Sequence, residues 1–531
     1  MTRIARLLAT GALLAAAALL AAAALPAGAA EMARAPTPQA QTAQGMVVGR
    51  LQDGIASYLG IPYAAPPVGA LRFRPPAAPA AWTTPREAAA YGSACPQPAR
   101  LGTPSTNEDC LFLNVWAPVG GRDRPVMVFI HGGSFNAGSG GVTTANPNGP
   151  GPNYDGSDLA RATGAVVVTI NYRLGVLGFL TAPALDAESE AHVSGDYGLQ
   201  DQQAALRWVA ANVASFGGDP HRVTVFGESA GGISVLYLLA SPGAAGLFQR
   251  AVVESANDGR APSLLMAEAR HARIIESLGC DRPQPAETAS CLRALPVDAF
   301  LARAGAGPVI DGATVPEPPL AAFKDGHFNR VPVVVGTNAD EGTYFLTVAE
   351  AGAGRLLTAE DRATIQGHTF GMKAPKVASA YPAEEYGSPG AALAAIVTDS
   401  FFACPSAAVR AALAPYVAVL GYEFRQGAPV RDFPLPRAPA ATPDIPLGDS
   451  HTTELAYVFG HDGTGAKLAG NDAVLSARVV SLWSGQDAPA RGFVDLAEPA
   501  PAARDFEQVH RCAFWQSVGS PQALIVSVPK D

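Results

Sequence analysis

The stretch Val223-Thr224-Val225-Phe226-Gly227-Glu228-Ser229-Ala230-Gly231-Gly232, continued by the apolar run from Ile233 to Ala240, decides the fold. Its first four residues read as a strand buried on both faces, and the run after the glycines is compatible with a helix. Between them lies Gly-x-Ser-x-Gly, which in a strand, turn, helix setting exposes a strained serine at the sheet edge. Residues larger than Gly227 and Gly231 would clash as the chain reverses. The helix starting at Ala230 aims free N–H groups and partial positive charge at the place where negative charge develops in acyl transfer. A glycine-rich turn with an ordinary serine fits the same residues, so the serine's partners must be sought elsewhere in the chain.

Working outward, continuous apolar runs at 126–130, 165–170, 331–335 and 417–420 suit further strands buried on both faces. Between the second of these and residues 223–226, Ala205, Val209 and Val213 repeat every four residues beside Leu206 and Trp208, a helical period. Strands alternating with helices predict an α/β fold: a mostly parallel central sheet with helices on both faces. No long linker, repeat or low-complexity block interrupts the pattern. Residues 46–531 therefore read as one domain, with segments near 345–415 and 425–450 as insertions around its rim.

Composition narrows the function. The 531 residues are 48% hydrophobic, with 55 Gly and 46 Pro, which excludes a collagenous or disordered chain. Net charge is −9 and only 16% of residues are charged, so no basic field exists to hold a nucleic acid. Arg3 and Arg6 precede an apolar stretch at 7–25, and Pro26 leads into Ala27-Gly28-Ala29-Ala30. That order reads as a secretory signal peptide over 1–29, followed by a flexible segment over 30–45. A retained membrane anchor is the alternative reading. No other stretch reads as long and apolar enough to span a bilayer, so a soluble protein outside the cytoplasm, secreted or periplasmic, is expected.

A serine hydroxyl becomes a useful nucleophile when a histidine takes its proton and an acid fixes that histidine's tautomer. In α/β-hydrolases these follow in the order Ser, acid, His. The strand at 331–335 runs into Gly336-Thr337-Asn338-Ala339-Asp340-Glu341-Gly342, where Asp340 and Glu341 both qualify as the acid. After the last expected strand, 417–424, comes Gly448-Asp449-Ser450-His451-Thr452-Thr453-Glu454. His451 is favoured by spacing, with His461 and His510 also downstream. For the oxyanion, Ala230 supplies one N–H, and Ile130-His131-Gly132-Gly133-Ser134-Phe135 is the glycine-rich loop expected to supply more. His131 reads as structural. No Walker-type loop or metal-ligand cluster is evident, and neither cofactor nor metal is implied.

Ordered motifs spread over about 46–515 make the chain resemble the type-B carboxylesterases, the α/β-hydrolase family that includes para-nitrobenzyl esterases and cholinesterases. They are Tyr58-Leu59-Gly60-Ile61-Pro62-Tyr63-Ala64, Glu108-Asp109-Cys110-Leu111-Phe112-Leu113-Asn114-Val115, Asn171-Tyr172-Arg173-Leu174-Gly175, Gly198-Leu199-Gln200-Asp201-Gln202 and the segment from Phe216 to Gly232. The resemblance implies Ser229 as nucleophile, Glu341 as acid and His451 as base. It implies oxyanion donors at Gly133, Ser134 and Ala230, where serine at 134 departs from the family's glycine or alanine. Glu228 matches a position near the catalytic histidine; a solvated turn glutamate is the alternative. Cys95 with Cys110, Cys280 with Cys291, and Cys404 with Cys512 match the family's disulfides.

The resemblance thus implies a secreted serine esterase acting on small-molecule carboxylic esters through an acyl-enzyme. A lipase or specialised esterase for bulky esters is the nearest alternative. A non-catalytic interaction protein is the more distant one, since some relatives have lost the nucleophile. The loop closed by Cys95 and Cys110 lacks the tryptophan with which cholinesterases hold a quaternary ammonium. Phe135, Tyr344 and Phe345 are the expected lining of an apolar pocket, or ordinary core.

Overall fold

Val126, Val128 and Ile130 enter one hydrophobic core while the alternating Met127 and Phe129 enter another. A strand with apolar side chains on both faces must be covered on both, and this residue pattern is what builds the layers. In the computed structural model the described residues are 37–98, 104–141, 153–303, 305–427, 429–430, 445–486 and 489–521. The expected signal peptide lies outside them. Within the expected flexible segment, Gln39–Gln41 is a strand paired antiparallel with Met46–Val48.

The central sheet has ten strands: β1 (Arg50–Gln52), β2 (Ile55–Pro62), β3 (Phe112–Pro118), β4 (Arg124–Ile130), β5 (Val166–Ile170), β6 (Gly218–Glu228), β7 (Arg250–Glu254), β8 (Val333–Asn338), β9 (Val419–Phe424) and β10 (Gly492–Leu496). Their spatial order is β1-β2-β3-β5-β4-β6-β7-β8-β9-β10. β1, β2, β3 and β5 pair antiparallel, and every pair from β5 onward to β10 is parallel. This is the α/β-hydrolase architecture. One face is covered by α1 (Tyr197–Asn212), through Ala205, Leu206 and Val209, and by α2 (Ala230–Ala240), through Val235, Leu236 and Leu239. The other is covered by the helices Leu455–Phe459 and Gly470–Ser484.

A third core joins the first rim insertion to the C-terminal segment, where Leu346, Ile365, Leu393 and Phe402 pack with Trp515. It contains the 25-residue helix Pro389–Leu413, which is long and apolar enough to cross a bilayer by composition, contrary to the expectation above. Most of its apolar surface is buried within the protein. Midway along it, Thr398–Ala403 forms a π-helical turn.

That turn aims Asp399 at a buried histidine. His510 is held by Asp399 Oδ1 on Nδ1 (2.6 Å) and by Glu423 Oε1 on Nε2 (2.8 Å). Arg504 donates to the same Glu423 oxygen (2.6 Å), and Tyr381 donates to Asp399 Oδ2 (2.7 Å). The network, with the Cys404–Cys512 disulfide, fastens the C-terminal segment to β9 and the rim. Burial alone would lower the His510 pKa, but the two carboxylates outweigh it and raise it to about 9.

A folded pKa above the ordinary 6.5 means that this stabilisation is complete below about pH 6.5 and is lost as pH rises through about 9. Thermal midpoints are therefore expected to fall across that window. His510→Gln, which breaks the buried pairs, is expected to cost about 3 to 5 kcal/mol and to flatten the pH dependence. Equal midpoints for variant and wild type at pH 6 would contradict this.

Candidate active site

Four strands of the sheet deliver the site. β4, β6, β8 and β9 run parallel, so the loops that follow them emerge at one edge, where open α/β sheets place their ligands. β6 ends at Glu228, and Ser229 turns the chain into α2 with φ 58° and ψ −120°. A non-glycine residue so placed stores about 1 to 3 kcal/mol of strain. The turn is fixed because Ser229 N–H donates to Glu254 O on β7 (3.0 Å). Gly231 is required there: a Cβ on it would lie 1.9 Å from the Ile130 carbonyl oxygen. Ser229 is half-buried, whereas its neighbours Glu228 and Ala230 are buried.

Glu341 begins the helix Glu341–Ala353, where the N-terminal partial charge favours a carboxylate. Its Oε1 accepts from Thr337 Oγ1 (2.7 Å) and from Asn338 N–H (2.8 Å). Its Oε2 lies 2.5 Å from His451 Nδ1, and both side chains are buried. On the opposite edge of the imidazole, Nε2 is 3.1 Å from Glu228 Oε1. No hydrogen bond joins Ser229 Oγ to His451 among the described residues; the Nε2 edge faces the residue next to the serine. Bonds of this kind are often long in unliganded enzymes and tighten only with substrate. Gly132 bridges the group, since a Cβ there would lie 2.7 Å from Glu228 Oε2 and 3.1 Å from Ser229 Cβ.

After β4 the loop adopts left-handed backbone three times running, at Gly133 (φ 105°), Ser134 (φ 56°) and Phe135 (φ 58°). A Cβ on Gly133 would lie 2.1 Å from Ala137 O. Ser134 is exposed, so its side chain points away from the core, and its carbonyl accepts from Asn136 Nδ2 (2.6 Å). On the α2 side, the first N–H groups of a helix have no partner inside it, which leaves that of Ala230 available to a ligand. A cavity of about 360 Å³ opens against Gly133 and Ser134, walled by Leu174, Val176, Leu177 and Phe300.

The remaining candidates fall elsewhere. Asp340 does not meet His451; its carboxylate accepts the N–H of Asp449. His461 contacts Asp155 O and Asp462 O, and His510 lies in the network described above. His131 is buried, stacks on Tyr172 at 4.4 Å, and is pushed down to about 4 by burial, which outweighs the bond to Gly132 O. Phe135 packs on Phe179 in the core, while the rings of Phe345 (4.9 Å) and Tyr344 (6.1 Å) flank His451. The three cysteine pairs are each bonded. At the surface, Glu317, Asp325 and His327 gather within 4.8 Å, a cluster of metal-ligand type that the sequence did not show.

Two neighbours escaped the sequence reading. Phe402 lies tilted against His451 at 5.0 Å, brought in by the π-helical turn, which has no composition signal of its own. Glu454 is fully buried and accepts from Ser255 Oγ (3.1 Å) and Asn338 Nδ2. Burial, with the nearby Glu341 charge, raises it to about 7. Its place three residues after His451 is the sequence signal that points to it.

A strained serine on a strand-to-helix turn, beside a buried carboxylate and imidazole, is an arrangement of α/β-hydrolases. The chain belongs to the carboxylesterase family, whose profile matches residues 36–485. It is 38% identical over 517 residues to the fumonisin B1 esterase of Sphingopyxis macrogoltabida, covering 92% of this chain and 88% of that one. It is 37% identical over 471 residues to the para-nitrobenzyl esterase of Bacillus subtilis, covering 84% and 89%. Human neuroligin-2 is 31% identical, with 89% of this chain covered but 62% of the longer relative. A solved PNB esterase superposes with TM-score 0.71 at 31% identity, covering 90% of this chain and 99% of that one. The protein is a carboxylic ester hydrolase.

The close approach at Gly231 makes a direct test of the turn. Gly231→Ala is expected to destabilise the protein by about 1 to 3 kcal/mol or more. Gly352→Ala, in a helix with open space around it, is expected to be neutral or to stabilise by up to about 1 kcal/mol. Denaturant midpoints that coincide for the two variants would contradict the packing described here.

Proposed function

We propose that Ser229 is the nucleophile, His451 the general base and Glu341 the acid of a serine esterase that works through an acyl-enzyme. The observation that carries this reading is the strained, half-buried Ser229, directly after the Glu228 whose carboxylate lies 3.1 Å from the His451 of the buried Glu341–His451 pair. Ser229 Oγ bonds to the ester carbonyl carbon as its proton passes to His451 Nε2. The carbonyl electrons move onto oxygen, where the N–H groups of Gly133, Ser134 and Ala230 receive them. Collapse of that intermediate breaks the ester C–O bond, and His451 returns the proton to the departing alcohol. Water, deprotonated by the same imidazole, then releases the acid and restores Ser229.

Glu228 fits this cycle as a charge beside the imidazole, its Oε1 3.1 Å from His451 Nε2. The imidazolium formed in the first step has Glu341 bonded at Nδ1 and the Glu228 carboxylate near Nε2, a second negative charge beside the cation. Export is part of the proposal. Three disulfides suit an oxidising compartment, and the expected signal peptide would lead the chain there.

A second reading, an esterase for bulky esters, is favoured by likeness to the fumonisin B1 esterase. Comparing para-nitrobenzyl esters with fumonisin B1 as substrates separates the two by kcat/KM. Ser229→Ala is expected to fold normally and to lose about 10⁴-fold or more of kcat on any ester the wild type turns over. Wild-type rates in that variant would refute the assignment, and inactivity of the wild type on every ester would favour a non-catalytic role.

A further inference from the structure

Asp340, the residue before Glu341, joins the two loops that carry the proposed acid and base. Its N–H donates to Asp449 O (3.0 Å), and its Oδ2 accepts Asp449 N–H (2.9 Å). The two residues thus exchange a pair of bonds, one of them through a side chain. Around this pair the loops are fastened further. Thr343 Oγ1 lies 2.6 Å from Asp340 O and 2.7 Å from Leu447 O. Asp449 holds Gly427 N–H between its two carboxylate oxygens (3.1 and 3.0 Å), and Ala339 N–H donates to Phe424 O at the end of β9 (2.9 Å).

Gly448 leaves the space the carboxylate occupies. It has φ 51°, and a Cβ there would lie 2.1 Å from Asp340 Oδ2. The side chain is not serving the helix that follows: Asp340 occupies the N-cap position of Glu341–Ala353 but makes no capping bond. Its acceptor is directed across the loops instead, to a backbone two residues ahead of His451.

The 2.5 Å contact between Glu341 and His451 has little slack, and displacement of a catalytic group by about 1 Å can cost about 10²-fold in rate. We propose that Asp340 is a positioning residue, whose carboxylate locks the Asp449 backbone and so sets the separation of Glu341 and His451. The proposal rests on the catalytic roles assigned above to those two residues.

The test compares Asp340→Asn, Asp340→Ala and Asp340→Ser in the full chain, with Ser229→Ala and His451→Ala as controls, on a short-chain aryl ester. Asn keeps an acceptor for Asp449 N–H and is expected to hold kcat within about threefold. Ala and Ser, which lack or cannot extend that acceptor, are expected to lose about 10- to 100-fold in kcat, with KM within about twofold. Ser supplies the measurement if the Ala variant does not fold. Wild-type kcat in Asp340→Ala or Asp340→Ser overturns the proposal, and so does an Asn variant as impaired as Ala, since charge rather than the bond would then matter. Activity retained by Ser229→Ala or His451→Ala would instead overturn the triad.

Discussion

A single buried hydrogen bond, 2.5 Å between Glu341 Oε2 and His451 Nδ1, spans 110 residues of sequence and governs how the rest of the site is arranged. A carboxylate taken out of water is costly unless its remaining lone pairs are used, and here Thr337 Oγ1 and Asn338 N–H use them. That donor set is available because β8 ends at Asn338 and the next helix begins at Glu341. The imidazole is oriented in turn, its Nε2 edge turned toward the end of β6. Parallel pairing from β6 through β9 makes the meeting possible, since it puts all these strand ends at the same edge.

The site also concentrates buried acids. Glu228, Glu254, Glu341 and Glu454 are each 1% exposed or less, and His451 stands among them. Glu254 is raised well above the ordinary carboxylate range by burial and by the nearby Glu454. The direction is the one expected when like charges share a dry site: some of the carboxyls keep their protons. The aromatic rings of Phe345 and Phe402 pack against the same histidine at 4.9 and 5.0 Å.

Much of this was legible in residues 223–240, because a both-face-buried strand, a forced glycine turn and an apolar helix leave few alternatives. The runs at 126–130 and 165–170 were equally plain. Other strands were hidden by buried polar residues. In β3, Asn114 interrupts the apolar pattern, yet it is satisfied inside the sheet by Gly140 O and Thr169 Oγ1. β10 is a short edge strand with one buried residue, too weak a pattern to read, and so His451 follows the penultimate strand rather than the last. Residue spacing left Asp340 and Glu341 equivalent as acids. The family resemblance favoured Glu341, and the backbone path shows it facing His451 while Asp340 grips Asp449. Phe402 depended on a π-helical turn, which changes the face a side chain presents without a composition signal of its own.

The most direct measurement is a crystal structure of the protein inhibited by an organophosphonate ester, an analogue of the tetrahedral intermediate. The account predicts a phosphorus bonded to Ser229 Oγ, the phosphonyl oxygen about 3 Å from the amide nitrogens of Gly133, Ser134 and Ala230, and His451 Nε2 drawn toward Ser229. Phosphonylation at another residue, or an adduct on Ser229 whose oxygen points away from those amides, would contradict it.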